Sequence, residues 1–491
     1  MRLAEGLAMS IGRHGFVIRH GLRSAEQSEA ADRILQLAQE GDLQTIRLSF
    51  VDQHGVLRGK SITTDGLQAA LQNGCTITTT LLAKDTSHRT VYPVWAPGGG
   101  LALDEMTGGG DFVMVPDPTT FKVLPWAANC GWLLCDIYFQ NGEPVPFSTR
   151  RLCQLAVQRL SDAGFDYLSG LELEFHVFKL KETKLDPEHA TQPGAAPEFS
   201  LLTQGYQYLT EARLDEFEPV FELLRSQLQA LDLPLRSMEI EFGPSQCEFS
   251  FHPQPGIATA DNTVLFRSAV KQICQRNSLH ATFMCRPQGA NLFSSGWHLH
   301  QSLLHADSGV NALMPDNDTA LLSTVGDHFV SGLLTHAAAA CVFTTPTVNG
   351  YKRYKPLSLA PDRAIAARDN RGAMVRIVGG HEDPATRIEN RIGDPAANPY
   401  LYLTSQIVSG MLGIDNHYPP STYSSTPYDS DAQMLPTDLM AAVTALRRDD
   451  TFRQAMGDSF VDYLLGIKDA EIERYLSCVS DWEQREYFST F

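Results

Sequence analysis

An α+β fold is what the amino-acid sequence predicts, on three observations. Strand-like and helix-like stretches are mixed along the 491 residues without the regular alternation that builds a doubly wound sheet. No internal repeat or low-complexity tract is found. Hydrophobic residues make up 43% and charged residues 20%, the balance of an ordinary globular chain. At this size about three-quarters of the extended chain's surface is expected to be buried, and the length favours two or more domains over one.

The elements follow in order. Residues 28–42 have helical spacing, and 45–62 read as two strands about a tight turn at Gln53–Gly55. The Gly- and Pro-rich stretch 91–111 is expected as a surface loop, followed by strand-like runs 113–126 and 129–139. Ser148 suits the cap of a helix over 148–164, which leads into a strand over 167–180. A domain boundary is therefore placed near 125–147. After a polar loop, 181–205, come a helix (214–232), a strand (236–253), a helix (263–278) and strands at 281–285 and 298–304. The remainder is a helix over 316–340, an Arg-rich segment (349–392), a helix over 399–415 and helical segments from 436 to 474.

Charge excludes some partners. With 57 Asp and Glu against 39 Lys and Arg, the net charge is −18, whereas a phosphate backbone or an anionic lipid surface needs a basic face. Neither nucleic acid nor a membrane is expected. Arg2, Glu5, Arg13, His14 and Arg19 interrupt the start of the chain, which argues against a signal-peptide core, and no run approaches the ~20 apolar residues of a membrane helix. Nine cysteines without C-x-x-C spacing read as free thiols in a reducing cytoplasm, and Cys130 and Cys135 as core.

Two pairs of residues carry the first chemical signal. Glu172 and Glu174 lie two apart on a strand and project to one face, as do His298 and His300. Like charges on one side repel unless that face is wet or holds a cation, so a solvated strand face competes with a metal site. Glu239, Glu241 and Glu248, with Glu389 further on, add carboxylates. Carboxylates with one or two imidazoles suit hard cations of the Mg²⁺ or Mn²⁺ type, and no H-E-x-x-H or Cys/His cluster points to zinc. The second signal is segment 352–391, which holds nine Lys and Arg against five Asp and Glu in an otherwise acidic chain. A solvated loop or an anion pocket explains it, and arginine forks suit carboxylate and phosphate. There is no Walker motif, so any ATP would be held through metals and arginines.

These motifs together resemble the glutamine synthetase family over nearly the whole chain: FVDQHGVLRGK, GDFVMVPDPTT, GLELEF, EFGPSQCE, SSGWHLHQSL, VNGYKRYKP, DNRGAMVRI and RIENRIGDPAANPYL, with LPTDLMAAVTAL and VSDWEQREYF in the tail. The resemblance implies an N-terminal extension (1–27), a β-grasp domain (28–140) and a catalytic domain (141–491) built as an antiparallel half-barrel with flanking helices. It also implies active sites between subunits of a ring-type homo-oligomer, a dodecamer. Carried over by position, Glu174, Glu241 and Glu248 match the ligands of a first Mg²⁺ or Mn²⁺, and Glu172, His298 and Glu389 those of a second. His300, Ser302, Arg376 and Arg387 match contacts to ATP. Arg353 and Arg391 match the arginines that hold L-glutamate, and Arg371 the one that faces ATP's transferred phosphoryl group.

Departures from the family pattern point to the nucleophile. Where ammonia-using members carry a glutamate in the loop after the substrate arginine, this chain has Leu359, and the loop that brings an aspartate from the adjacent subunit reads PVWAPGGG. Both changes remove negative charge where ammonium would sit. Phe293 and Trp297, near the metal histidine in sequence, either add aromatic surface to the site or belong to the core, and Ser294 stands where the family has a glycine at the glutamate amino group. Leu359, Phe293, Trp297 and Trp95 are expected to form a dry amine pocket. The resemblance thus implies a ligase that joins the γ-carboxylate of glutamate to an organic amine through a γ-glutamyl phosphate. An apolar or weakly basic amine, aromatic and of the aniline kind, fits better than a polyamine. The competing readings are an ammonia-using glutamine synthetase, a polyamine γ-glutamyl ligase, a phosphotransferase of the guanidino-kinase type and a catalytically silent structural or regulatory relative. Pro427-Tyr428-Asp429 resembles the place of a regulatory tyrosine but is read as an ordinary loop.

Overall fold

The computed structural model describes residues 15–491 apart from Pro97, Gly98, Ala102, Leu185 and Ala290. Most of the expected extension 1–27 lies outside the described residues. Within the rest, Phe16–Arg19 form one helical turn and Ala25–Gln39 a helix closed by a Ser24/Gln27 capping box.

In β1 (Thr45–Val51), Ile46, Leu48 and Phe50 alternate with Arg47 and Ser49 and turn inward. The chain reverses over 52–56, where Asp52 accepts backbone hydrogen bonds from His54 (2.9 Å) and Val56 (3.0 Å) and Gly55 takes φ 75°. β2 (Leu57–Thr63) returns antiparallel. β3 (Cys75–Thr78), β4 (Asp111–Pro116), β5 (Lys122–Val123) and β6 (Cys130–Tyr138) complete a six-stranded sheet in the order β2-β1-β6-β4-β3, with β5 on β6. β1 and β6 run parallel at its centre.

The second sheet has ten strands: β7 (Phe165–Leu180), β8 (Phe199–Ser200), β9 (Leu235–Ile240), β10 (Gln246–Phe251), β11 (Gln254–Pro255), β12 (Leu279–Thr282), β13 (Trp297–His305), β14 (Ala366–Arg368), β15 (Val375–Val378) and β16 (Arg387–Gly393). Its order is β14-β15-β16-β13-β7-β10-β9, with β8, β11 and β12 also on β7. Odd-numbered β7 residues Leu171, Leu173 and Phe175 join Phe249, Trp297 and Leu299 in the core, packed with the helices Ala258–Arg276 and Pro399–Asp415. Even-numbered residues are left to the opposite face.

Two expectations are corrected. The single strand 236–253 is a hairpin, because Gly243, Pro244 and Ser245, at φ 60°, turn the chain and lay β9 against β10. The helix 316–340 begins only after Ser323, whose hydroxyl accepts from Gly326 N (3.0 Å), and it divides at His336 into Thr324–Thr335 and Ala337–Thr344. All nine cysteines are free, Cys130 and Cys135 both in the core. Among the described residues no helix is long and apolar enough to cross a membrane.

Two buried arginines join the sheets. Arg150, on the helix Thr149–Asp162, meets Asp117 (3.0 Å) and Asp136 (3.0 Å) beside the first sheet and Asp261 (2.9 Å) on the helix behind the second. Arg267 donates to the carbonyls of Pro395 (2.9 Å), Ala397 (2.8 Å) and Gly55 (3.0 Å).

Candidate active site

Strand register gathers the acidic residues. On β7, Glu172 lies opposite His298 of β13, and Glu174 opposite Glu248 of β10. His300 faces Glu389 of β16, which faces Arg376 of β15. Five strands therefore contribute to one row of ionisable groups. That row, except the fully buried Glu389 and with Glu241 added at the hairpin end, lines a cavity of about 1590 Å³ that also takes in Ser294, Ser302, Arg353, Arg371, Arg387 and Arg391.

Within the row His298 is the hub. Its Nδ1 donates to Glu172 Oε1 (2.6 Å) and lies 3.8 Å from Glu389 Oε1 and 3.9 Å from Glu248 Oε2, while Nε2 is 3.7 Å from Glu174 Oε1 and accepts from Arg353 Nη2 (3.3 Å). His300 Nε2 donates to Glu172 Oε2 (3.0 Å), and Arg387 Nε donates to His300 Nδ1 (3.2 Å). Two tight ligand groups result, Glu172 with Glu248 and His298, and Glu172 with His300 and Glu389. Both groups share Glu172 and draw on residues of both expected triads. His300, expected at the nucleotide, stands in the second group, whereas Glu174 and Glu241 line the cavity outside both.

Electrostatics separates these carboxyls. Burial, then the charge of Glu174, pushes Glu241 up to about 9. Burial and the charges of Glu172 and Glu174 raise Glu248 well above the usual range. Burial also works to raise Glu172, but hydrogen bonds from His298 and His300 outweigh it and hold it far below. At Glu389 burial is opposed by Arg391, with which it pairs, and the result is again a lowered value. Crowded carboxyls that cannot all ionise alone, with imidazoles and no thiol beside them, are the donor set of a hard divalent cation.

The guanidinium groups are held in turn. Arg376 Nη1 reaches Glu389 (2.9 Å). Arg391 donates to the carbonyl of Arg371 (3.1 Å), and Arg353 to that of Arg391 (2.8 Å). Ser302 donates to Thr386 O (2.9 Å), and the Ser294 hydroxyl accepts from Arg286 (3.1 Å).

Of the expected amine pocket, the cavity receives Phe293 and Leu359 only. Trp297 is fully buried against Tyr402 on the other side of β13, since it is one residue from His298 and a strand's neighbours face opposite ways. Trp95 is exposed on the N-terminal half and does not line the cavity. The cavity instead holds aromatics that sequence reasoning missed, Tyr206, Tyr208 and Phe242. A signal existed: the G-Y-Q-Y run and the aromatic next to Glu241 were both visible. The flap 355–360 also lines the cavity, with Leu357 and Leu359 both at positive φ (60° and 61°).

Comparison with known proteins fits this geometry. Residues 146–487 match the model of the glutamine synthetase catalytic domain. A γ-glutamylanilide synthase of an Acinetobacter species is 43% identical over 96% of this chain and 98% of its own. A γ-glutamylethanolamide synthetase of Streptomyces coelicolor is 29% identical over 92% of this chain and 94% of its own. The solved structure of a GmaS–ADP complex superposes with a TM-score of 0.76 at 26% identity, covering 93% of this chain and 99% of that one.

Proposed function

Because the chain belongs to the glutamine synthetase family, we propose that it is an ATP-dependent ligase joining the γ-carboxylate of L-glutamate to an aromatic primary amine. The observation that carries this reading is the cavity itself, lined by a row of carboxyls and imidazoles together with Arg353, Arg371, Arg376, Arg387 and Arg391, while the flap 355–360 contributes Leu357 and Leu359.

Roles follow from position. Glu172, Glu174, Glu241, Glu248, His298 and Glu389 would hold two Mg²⁺ or Mn²⁺ ions, with His300 at the edge of the second group. Divalent cations there supply neutralisation of the charge on phosphate oxygens. His300, Ser302, Arg376 and Arg387 bind ATP, and Arg353, Arg391 and Ser294 bind glutamate. A γ-carboxylate oxygen attacks the terminal phosphorus, ADP leaves, and Arg371 offsets charge on the transferred group. The amine nitrogen then attacks the acyl carbon, phosphate departs and the nitrogen loses a proton. An arylamine is uncharged at neutral pH, so it needs no carboxylate to strip a proton before attack. Leu359 fits such a nucleophile and fails an ammonium ion.

Self-association into a ring-type homo-oligomer, a dodecamer, is part of the proposal. Val479, Trp482, Phe488 and Phe491 expose large apolar surface near the C-terminus, which favours a partner subunit as cover. Nine free thiols support a cytoplasmic location.

The test is amine-dependent phosphate release from ATP with glutamate present, and mass spectrometry of the product. Turnover with ammonia alone overturns the amine assignment. No ATP turnover with any amine revives the silent relative, and reversible phosphoryl transfer to a guanidine favours the kinase reading.

A further inference from the structure

Four aromatic rings stand together on the cavity wall beside the acidic row. Tyr208 and Phe242 are stacked, centroids 4.3 Å apart and planes within 10°. Phe293 lies 6.4 Å from Phe242 at 22°, nearly parallel but spaced, and Tyr206 meets Phe293 edge-on at 5.8 Å and 83°. All four remain 39–44% exposed. Rings this large normally go to the core, and a cluster left facing a cavity offers its π faces to a ligand.

The wall is also built, not incidental. Tyr206, Gln207 and Leu209 all sit at positive φ (56°, 56° and 58°), a conformation that side-chain-bearing residues adopt only where the surroundings impose it. Tyr206 N donates to Phe242 O (2.9 Å), and Leu202 N to Ser245 Oγ (2.7 Å), so the loop is pinned to the hairpin that carries Glu241 and Phe242. The Tyr208 phenol, pushed up by burial and by the charges of Glu241 and Glu248, also feels Arg371. Phe242 directly follows Glu241, and the wall shares the cavity with Arg371, the arginine assigned to the transferred phosphoryl group, whereas His300, Ser302 and Arg387 are the groups assigned to the nucleotide.

We propose that Phe242 and Phe293, backed by Tyr208 and Tyr206, are the residues that select an aromatic amine, receiving its flat ring on their faces and leaving its nitrogen toward Glu241 and Arg371. The proposal rests on the ligase reading above. The competing occupant is the adenine of ATP, another flat ring.

The experiment uses the full chain with Mg²⁺, glutamate and ATP, comparing aniline with ethylamine in the parent, Phe242→Leu, Phe293→Leu and Phe242→Tyr. The quantity read is the ratio of kcat/KM for aniline to that for ethylamine, with KM for ATP beside it. Each leucine variant is expected to lower the ratio about tenfold, the loss of one stacked face, and Phe242→Tyr to restore it. A ratio that stays constant while ligation continues with either amine overturns the aromatic wall and leaves the ligase reading intact. A constant ratio with a raised KM for ATP assigns the wall to adenine and also overturns it. Absence of turnover with any amine in the parent overturns the ligase reading itself.

Discussion

The Tyr428 hydroxyl donates a 2.9 Å hydrogen bond to the carbonyl of Ala360, tying the flap that carries Leu357 and Leu359 to a distant loop. The same ring packs on Gly372, where an added Cβ would come within 2.9 Å of it. Gly372 follows Arg371, so one tyrosine touches both the flap and the neighbour of the arginine assigned to the phosphoryl group. Removing only the hydroxyl, by Tyr428→Phe, is expected to raise KM for the amine about threefold to tenfold, the worth of one hydrogen bond. Cleavage within 355–360 under limited proteolysis should quicken, with an unchanged melting temperature.

Gly296 leaves no room for a side chain beside Arg353. A Cβ there would lie 2.5 Å from Arg353 Nη2, and that guanidinium is already committed to Arg391 O and His298. In Gly296→Ala it must leave those partners. KM for glutamate is expected to rise about tenfold or more, as for a lost charged hydrogen bond, with near-normal stability by thermal melting.

Leu359 occupies the flap position where a carboxylate would attract a cationic nucleophile. Leu359→Glu is expected to raise the preference for ammonia over aniline by about tenfold or more, since a charge a few ångströms from an ammonium is worth about 1–4 kcal/mol between water and a protein surface. Initial rates with both nucleophiles, measured side by side, check the ratio.

Glu248 stands among like charges, and a cation binding there should stabilise the fold. Mg²⁺ or Mn²⁺ at about a hundred times Kd is expected to add about 2.7 kcal/mol. Glu248→Gln should leave the chelator-treated protein as stable as the parent or more so, while most of the metal-induced rise in Tm disappears. Melting curves in chelator and in each metal decide it.

How much of this was legible in the sequence depends on the range of the interaction that fixes it. Local signals sufficed for the helix Pro399–Asp415 and for the Ser148 cap, whose hydroxyl accepts from Arg151 N (3.4 Å). Strand parity placed Glu172 with Glu174 and His298 with His300, and the structure puts all four on one face. Applied one residue further, the same parity excludes Trp297 from that face, although its nearness to His298 in sequence suggested otherwise. The G-Y-Q-Y run was visible but its place was not, because a loop, pinned by hydrogen bonds to a hairpin tens of residues away, decides where Tyr206 and Tyr208 stand. Which side chains on that face approach one another around Glu172 was not legible for a similar reason, since spacing identifies a face but not the rotamers on it.

Arg267 has a consequence for how the protein can be divided. Its positive charge is shut away from solvent and shared between Gly55 at the tip of the first hairpin and the stretch just beyond β16. A catalytic half expressed without its first sheet would keep every residue of the chain that lines the cavity, yet it would strand that guanidinium short of an acceptor at the root of the strand bearing Glu389 and Arg391. The small sheet is a rivet, and the enzyme does not come apart into a working half and a dispensable one.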